Sequence, residues 1–186
     1  MYPINVGAKD KERITARSNV KIVEEIKMTG KTVEYSQVIM ANEMLPQHAN
    51  PAGNVHGGEI MKLIDSAGGV VARRHARRNV VTARVDELEF IHPIRVGNVV
   101  TCYGKLTFVG KSSMEVSVIV TVEDVLKEEP AKIALTAYLT FVSLDENGKP
   151  KQVPPLELSN DEERRLFEEG QQRYLAYKQR REKQAV

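Results

Sequence analysis

Between Ser113 and Glu123 apolar and polar positions alternate: Met114, Val116, Val118, Val120 and Val122 share one face, Glu115, Ser117 and Thr121 the other. A period of two predicts a strand with one buried face. The alternation recurs through Ile133, Leu135, Ala137, Leu139 and Phe141 in residues 131–144. It is weaker in 99–109, through Val100, Cys102, Leu106 and Phe108, and in 80–90, through Val81, Ala83 and Val85. Upstream, residues 33–40 (VEYSQVIM) are rich in β-branched and aromatic side chains and predict a first strand. Residues 42–57 carry two prolines, three asparagines, and glycines at 53 and 57, which predicts a long loop. From Gly58 to about Arg74 the period changes. Ile60, Ile64, Ala67 and Val71 recur at helical spacing, predicting an uninterrupted helix roughly 25 Å long.

Alternating strands with a single internal helix exclude a parallel βαβ sheet, whose strands read as continuous apolar runs. That helix is the element available to cover the sheet. The expected fold class is therefore α+β, a five-stranded antiparallel sheet wrapped around one long central helix. Residues 145–155 read as turn and linker, with Asn147-Gly148 as the turn signal. Ser159 with Glu162 reads as a capping box opening a C-terminal helix. Phe167, Gly170, Tyr174 and Tyr177 give that helix a stripe that can dock on the body or on a neighbour. Residues 1–32 are polar, charged and poorly periodic. The expected division is a 1–32 extension, a 33–156 domain and a 157–186 helix.

Composition narrows the picture. The net charge of +2 on 186 residues argues against a nucleic-acid partner, and the basic stripe in residues 1–32 is weak. One cysteine, Cys102, forms no intrachain disulfide, and no Cys/His cluster has zinc spacing. No stretch approaches the ~20 apolar residues of a membrane span, and no signal peptide is evident. A soluble, cytoplasmic protein without metal or cofactor is expected.

The chemistry concentrates in residues 50–75, NPAGNVHGGEIMKLIDSAGGVVARRH. Gly57 and Gly58 open a helix whose first N–H groups lack intrahelical acceptors, and their bare backbone admits a close ligand oxygen. Such a terminus favours the charge that builds on a carbonyl oxygen under attack. Asp65 lies seven residues, about two turns, beyond Gly58 on the same face, with Met61, Gly68, Gly69 and Ala72. A carboxylate in a mostly apolar cleft is suited to take a proton from water. An acid paired with a cation across an interface is the alternative reading of the same residue.

With VVTARVDELEFIHPIRVGN, VGKSSMEVSV and LTFVSLDENGKP, this stretch resembles the acyl-coenzyme A thioesterases of the hotdog superfamily, the brain-type and bacterial cytosolic acyl-CoA hydrolases. The resemblance runs from about residue 34 into the C-terminal helix. It implies that Asp65 is the general base, that Asn50 orients water or carbonyl, and that the Gly58 N–H polarises the carbonyl. It implies further that Asn50 and Asp65 meet from different subunits, in a homodimer that assembles as a trimer of dimers. Coenzyme A then enters as substrate, and Gly57, His56, Arg73, Arg74, Arg77, Lys111, Ser112 and Ser113 are candidates to bind it. Guanidinium forks suit its phosphates. Arg95 is a further candidate. The family often has an acid two residues before the asparagine, where this chain has His48. A non-catalytic acyl-CoA-binding regulator is the rival reading, and a dehydratase using His56 a more distant one.

Overall fold

The computed structural model describes residues 28–184. Most of the expected N-terminal extension, with its basic stripe, lies outside the described residues. The described chain opens with a two-residue strand β1 (Lys31–Thr32), and a one-turn helix α1 (Val33–Ser36) follows. Strand β2 (Val38–Glu43) comes next. The single strand expected over 33–40 is thus corrected. Thr32 Oγ1 accepts the Tyr35 N–H at 3.3 Å and caps a helical turn before extension begins.

The central helix α2 (Gly57–Ala76) leads into β3 (Val80–Phe90), β4 (Val99–Val109), β5 (Ser113–Glu123) and β6 (Lys132–Ser143). These four follow the sequence pattern to within a residue or so. They form with β2 one five-stranded antiparallel sheet of order β2-β4-β5-β6-β3, leaving β2 and β3 as its edges. The inner face of the sheet wraps α2. Ile60, Ile64, Ala67 and Val71 pack there with Val100, Leu106, Val116, Val118, Leu135 and Leu139, all buried. At Gly68 the helix lies tight against the sheet, since a Cβ there would stand 2.8 Å from Phe141 Cε2. This is the hotdog arrangement expected.

Strand β7 (Leu156–Glu157) pairs in parallel with β1, tying the chain before the sheet to the chain after it. The C-terminal helix α3 (Asp161–Gln184) lies on the outer face of the sheet, against its own chain. Its cap is one residue later than expected: Asn160 Oδ1 accepts the Glu163 N–H at 2.9 Å, and Glu163 returns to the Ser159 N–H at 2.7 Å.

Two further expectations need correction. Phe108 does not share a face with Leu106, because an irregularity between them shifts the register. The Phe108 ring turns outward onto α3, 5.0 Å from Phe167 and 5.4 Å from Tyr174 between ring centres. Glu115, on the expected polar face of β5, is buried under α3. Arg173 grips it with two hydrogen bonds of 3.0 and 2.8 Å, and Thr107 donates a third at 2.7 Å.

Candidate active site

Asp65 stands on the flank of α2 that faces edge strand β3. It borders a cleft of about 280 Å³ lined by Met61, Lys62, Ile64, Val85 and Leu139. The Thr82 hydroxyl donates to Asp65 Oδ1 at 2.6 Å. Sequence reasoning missed this partner. Alternation put Val81, Ala83 and Val85 on one inward face, but β3 is irregular at Ala83. Thr82 pairs opposite the core residue Phe141, whereas Arg84 pairs opposite Thr140. The bulge re-aims the strand so that a polar side chain points at the acid. Val81 and Val85 stay about two-fifths exposed within the single chain, at 43% and 41%.

The start of α2 is built by the loop before it. His56 is the N-cap, and its Nδ1 accepts the Gly58 N–H at 3.0 Å. Gly58 is thus engaged within its own turn, and Gly57 is the helix-start amide without a hydrogen-bond partner among the described residues. An apolar cleft of about 370 Å³ adjoins it, lined by Val55, Ile60, Phe90, Ile91 and Ile94. The Gly58 amide and Asp65 are separated by about 10 Å of helix rise. His48 caps its own turn, accepting the Leu45 N–H at 3.0 Å.

Asn50 sits in that loop, with Oδ1 accepting the N–H groups of Ala52 at 2.9 Å and Asn54 at 3.2 Å. This Asx turn fixes the carboxamide and leaves its NH₂ without a partner among the described residues. Nothing places Asn50 against Asp65 within one chain.

The basic candidates gather at the far end of α2. Arg73, Arg74 and Arg77 lie about 20–30 Å of helix rise beyond Gly58. Arg74 donates to the Gln37 carbonyl at 2.7 Å, and Arg77 to the Tyr35 hydroxyl through Nε at 3.0 Å. The Arg73 side chain makes no hydrogen bond among the described residues, while its carbonyl accepts the Arg77 N–H at 2.8 Å. Lys111, Ser112 and Ser113 belong to the β4–β5 turn at the same end, since the Ser143 N–H donates to Ser112 O and the Leu144 N–H to Asn79 O. Arg95 is at the opposite end, bridged to Asn54 beside the loop. The turn and the arginines are brought together, and Arg95 is not.

Cys102 is buried, and burial pushes its thiol up to about 11, which suits a core residue and not a nucleophile. No group of three metal-ligating side chains occurs among the described residues, and no helix there is long and apolar enough to cross a membrane.

A five-stranded sheet wrapped around a helix that carries a hydroxyl-held acid on its flank and an open amide at its start defines a hotdog protein. Residues 52–129 match the thioesterase superfamily. An uncharacterised acyl-CoA thioester hydrolase of Bacillus subtilis is 38% identical over 146 residues, 78% of this chain and 84% of that protein. The chain belongs to this family of acyl-CoA thioester hydrolases. The cytosolic acyl coenzyme A thioester hydrolase of Mus musculus is 41% identical over 152 residues, 81% of this chain. That alignment spans only 40% of the mouse protein. Among solved structures, an acyl-CoA hydrolase from Staphylococcus aureus in complex with butyryl coenzyme A, coenzyme A and coenzyme A disulfide superposes with a TM-score of 0.76. It is 34% identical and covers 83% of this chain and 94% of its own.

Proposed function

We propose that this protein hydrolyses acyl-CoA thioesters in the cytosol, with Asp65 as general base. Asp65 takes a proton from water, and the hydroxide attacks the thioester carbon. The carbonyl oxygen draws on the open amide of Gly57 in the subunit that supplies Asn50, since about 10 Å of helix rise separates that turn from Asp65 of the same chain, and Gly58 joins it when the His56 ring gives way. The tetrahedral intermediate then expels the coenzyme A thiolate, which recovers the proton, and the fatty acid is released. Thr82 orients the carboxylate, and the free NH₂ of Asn50 orients water or carbonyl. Arg73, Arg77, Lys111, Ser112 and Ser113 are placed to receive the phosphates, with His56 near the substrate.

The Asp65–Thr82 contact beside an apolar cleft carries this reading. It is supported by variants of the staphylococcal enzyme in which an asparagine, an aspartate and a threonine were each exchanged for alanine. Their spacing is that of Asn50, Asp65 and Thr82 here.

The site needs a second copy of the chain. Asn50 is turned away into its own loop, and β3 is an open sheet edge with apolar side chains on it. A homodimer that brings Asn50 of one subunit to Asp65 of the other completes it. Structural relatives described as hexameric thioesterases support a further trimer of dimers.

Acyl-CoA hydrolysis followed with a thiol reagent tests the proposal. Wild type releases coenzyme A, and Asp65→Ala lowers kcat by about 10²–10⁴-fold. Binding of acyl-CoA without turnover would replace hydrolysis by the regulatory reading.

A further inference from the structure

The edge strand that carries Thr82 is held by a ladder on one side only. Among the described strands β3 pairs only with β6, and its register slips twice, at Ala83 and between Asp86 and Glu89. Glu87, inside the second slip, has a φ of 46°, a conformation side chains disfavour. Yet Thr82 must hold its hydroxyl on Asp65. The ladder leaves the bulge itself unpaired at Ala83, so its geometry depends on what packs against it.

The bulge at Ala83 supplies the connection. Residues 82 and 84 of a regular strand point to the same face. Here Thr82 turns inward to Asp65 and Arg84 turns outward to α3. The Arg84 side chain is only 16% exposed. Its guanidinium lies 3.9 Å from the centre of the Tyr177 ring, and Nη2 reaches Thr140 Oγ1 at 3.4 Å. One helical turn earlier Arg173 is anchored on Glu115 and lies 4.0 Å over the ring of Tyr138, the residue paired with Asp86 of β3. The helix therefore grips the outer face of the sheet beside the bulge, and its aromatic ring closes over the one side chain that the bulge throws outward.

We propose that Tyr177 is a positioning residue for the reaction. By stacking on Arg84 it fixes the bulge at Ala83 and so keeps the Thr82 hydroxyl on Asp65. A flat ring is what this role demands, because attraction to a guanidinium depends on the ring face and not on the phenol. The inference rests on the thioesterase reading for its kinetic consequence and on geometry alone for its mechanical one.

Tyr177→Leu and Tyr177→Phe in the full chain separate the possibilities, with Arg165→Ala, at an exposed ion pair elsewhere on α3, as control. Tyr177→Leu is expected to lower kcat about tenfold with KM nearly unchanged, because a small misplacement of the acid costs rate without costing binding. Tyr177→Phe is expected to retain wild-type kcat. In a Thr82→Val background Tyr177→Leu is expected to cause no further loss, since both changes act through one contact. Amide exchange across residues 80–90 should quicken in Tyr177→Leu and not in Tyr177→Phe. Arg84→Lys, which keeps the charge and loses the planar stack, repeats the test should Tyr177→Leu fail to fold. Unchanged kcat and exchange in Tyr177→Leu, equal losses in the Leu and Phe variants, or additive losses with Thr82→Val would each overturn the proposal. An inactive wild type would defeat the thioesterase reading, and the exchange measurement would still decide whether the helix holds the strand.

Discussion

One hydroxyl determines how firmly the acid is held. Thr82 is the hydrogen-bond donor to Asp65 among the described side chains, at 2.6 Å, and a bond to a charged group is worth about 1.5–3 kcal/mol. Thr82→Val keeps the shape and removes the donor, so kcat should fall about ten- to a hundredfold while KM moves little. Thr82→Ser should keep most of the activity. Steady-state kinetics on one acyl-CoA decides, and a Thr82→Val enzyme with unchanged kcat would remove the hydroxyl from the mechanism. Asp65 is legible in the sequence because helical spacing from the two glycines and the family motif both lead to it. Thr82 is not, because strict alternation assigns residue 82 to the outward face. Only the extra residue at Ala83 restores it to the inside, and no composition signal announces a bulge there. Gly58 shows the reverse case. The motif leads to this turn of helix, but whether a neighbouring ring already occupies an amide depends on the rotamer of His56.

Elements are legible where their pattern is local. Strands β3 to β6 and helix α2 follow from periods of two and 3.6, because each buries one face continuously. The stripe Phe167, Gly170, Tyr174 and Tyr177 is legible as a docking face of α3, but the part of the sheet it covers escapes the pattern. Glu115 and Arg173 are 58 residues apart, and a polar position reads the same whether water or a guanidinium meets it. The strap at the far end of α2 is hidden for the same reason. There His75 is fully buried with Nε2 2.8 Å from Pro154 O, and Lys31 Nζ donates to the His75 carbonyl. Burial holds the His75 imidazole below its ordinary value of 6.5; the Pro154 carbonyl opposes this and the Lys31 charge reinforces it. A histidine with a lowered folded pKa favours the unfolded state once that state binds the proton. Its contribution is therefore intact above about pH 6.5 and is lost as pH falls below it. The stability difference between wild type and His75→Gln should shrink from pH 7.5 to pH 5 in denaturant titrations. A difference independent of pH would show that His75 does not titrate across folding.

At the scale of the whole molecule, the proposed mechanism makes the single chain an incomplete catalyst. It presents Asp65 and Thr82 on an open edge, with Val81, Val85, Phe90 and Ile91 each more than 40% exposed, and it keeps Asn50 elsewhere. In the proposed twofold assembly the same contact is made twice, so that each site would take Asp65 from one subunit and Asn50 from the other. Complementation reads this out directly. Asn50→Ala and Asp65→Ala are each expected to be inactive as homo-oligomers. When the two are unfolded together and refolded as an equal mixture, about half of the dimers are mixed, and one of the two sites in each mixed dimer has both residues intact. Roughly a quarter of wild-type activity should return, in a fraction that two different affinity tags co-purify. Recovery at that level cannot come from either parent, and a stability defect in one variant would reduce the yield without creating activity. If mixed assemblies form and stay as inactive as their parents, Asn50 and Asp65 act within one chain, and the open edge of β3 serves assembly without completing the site.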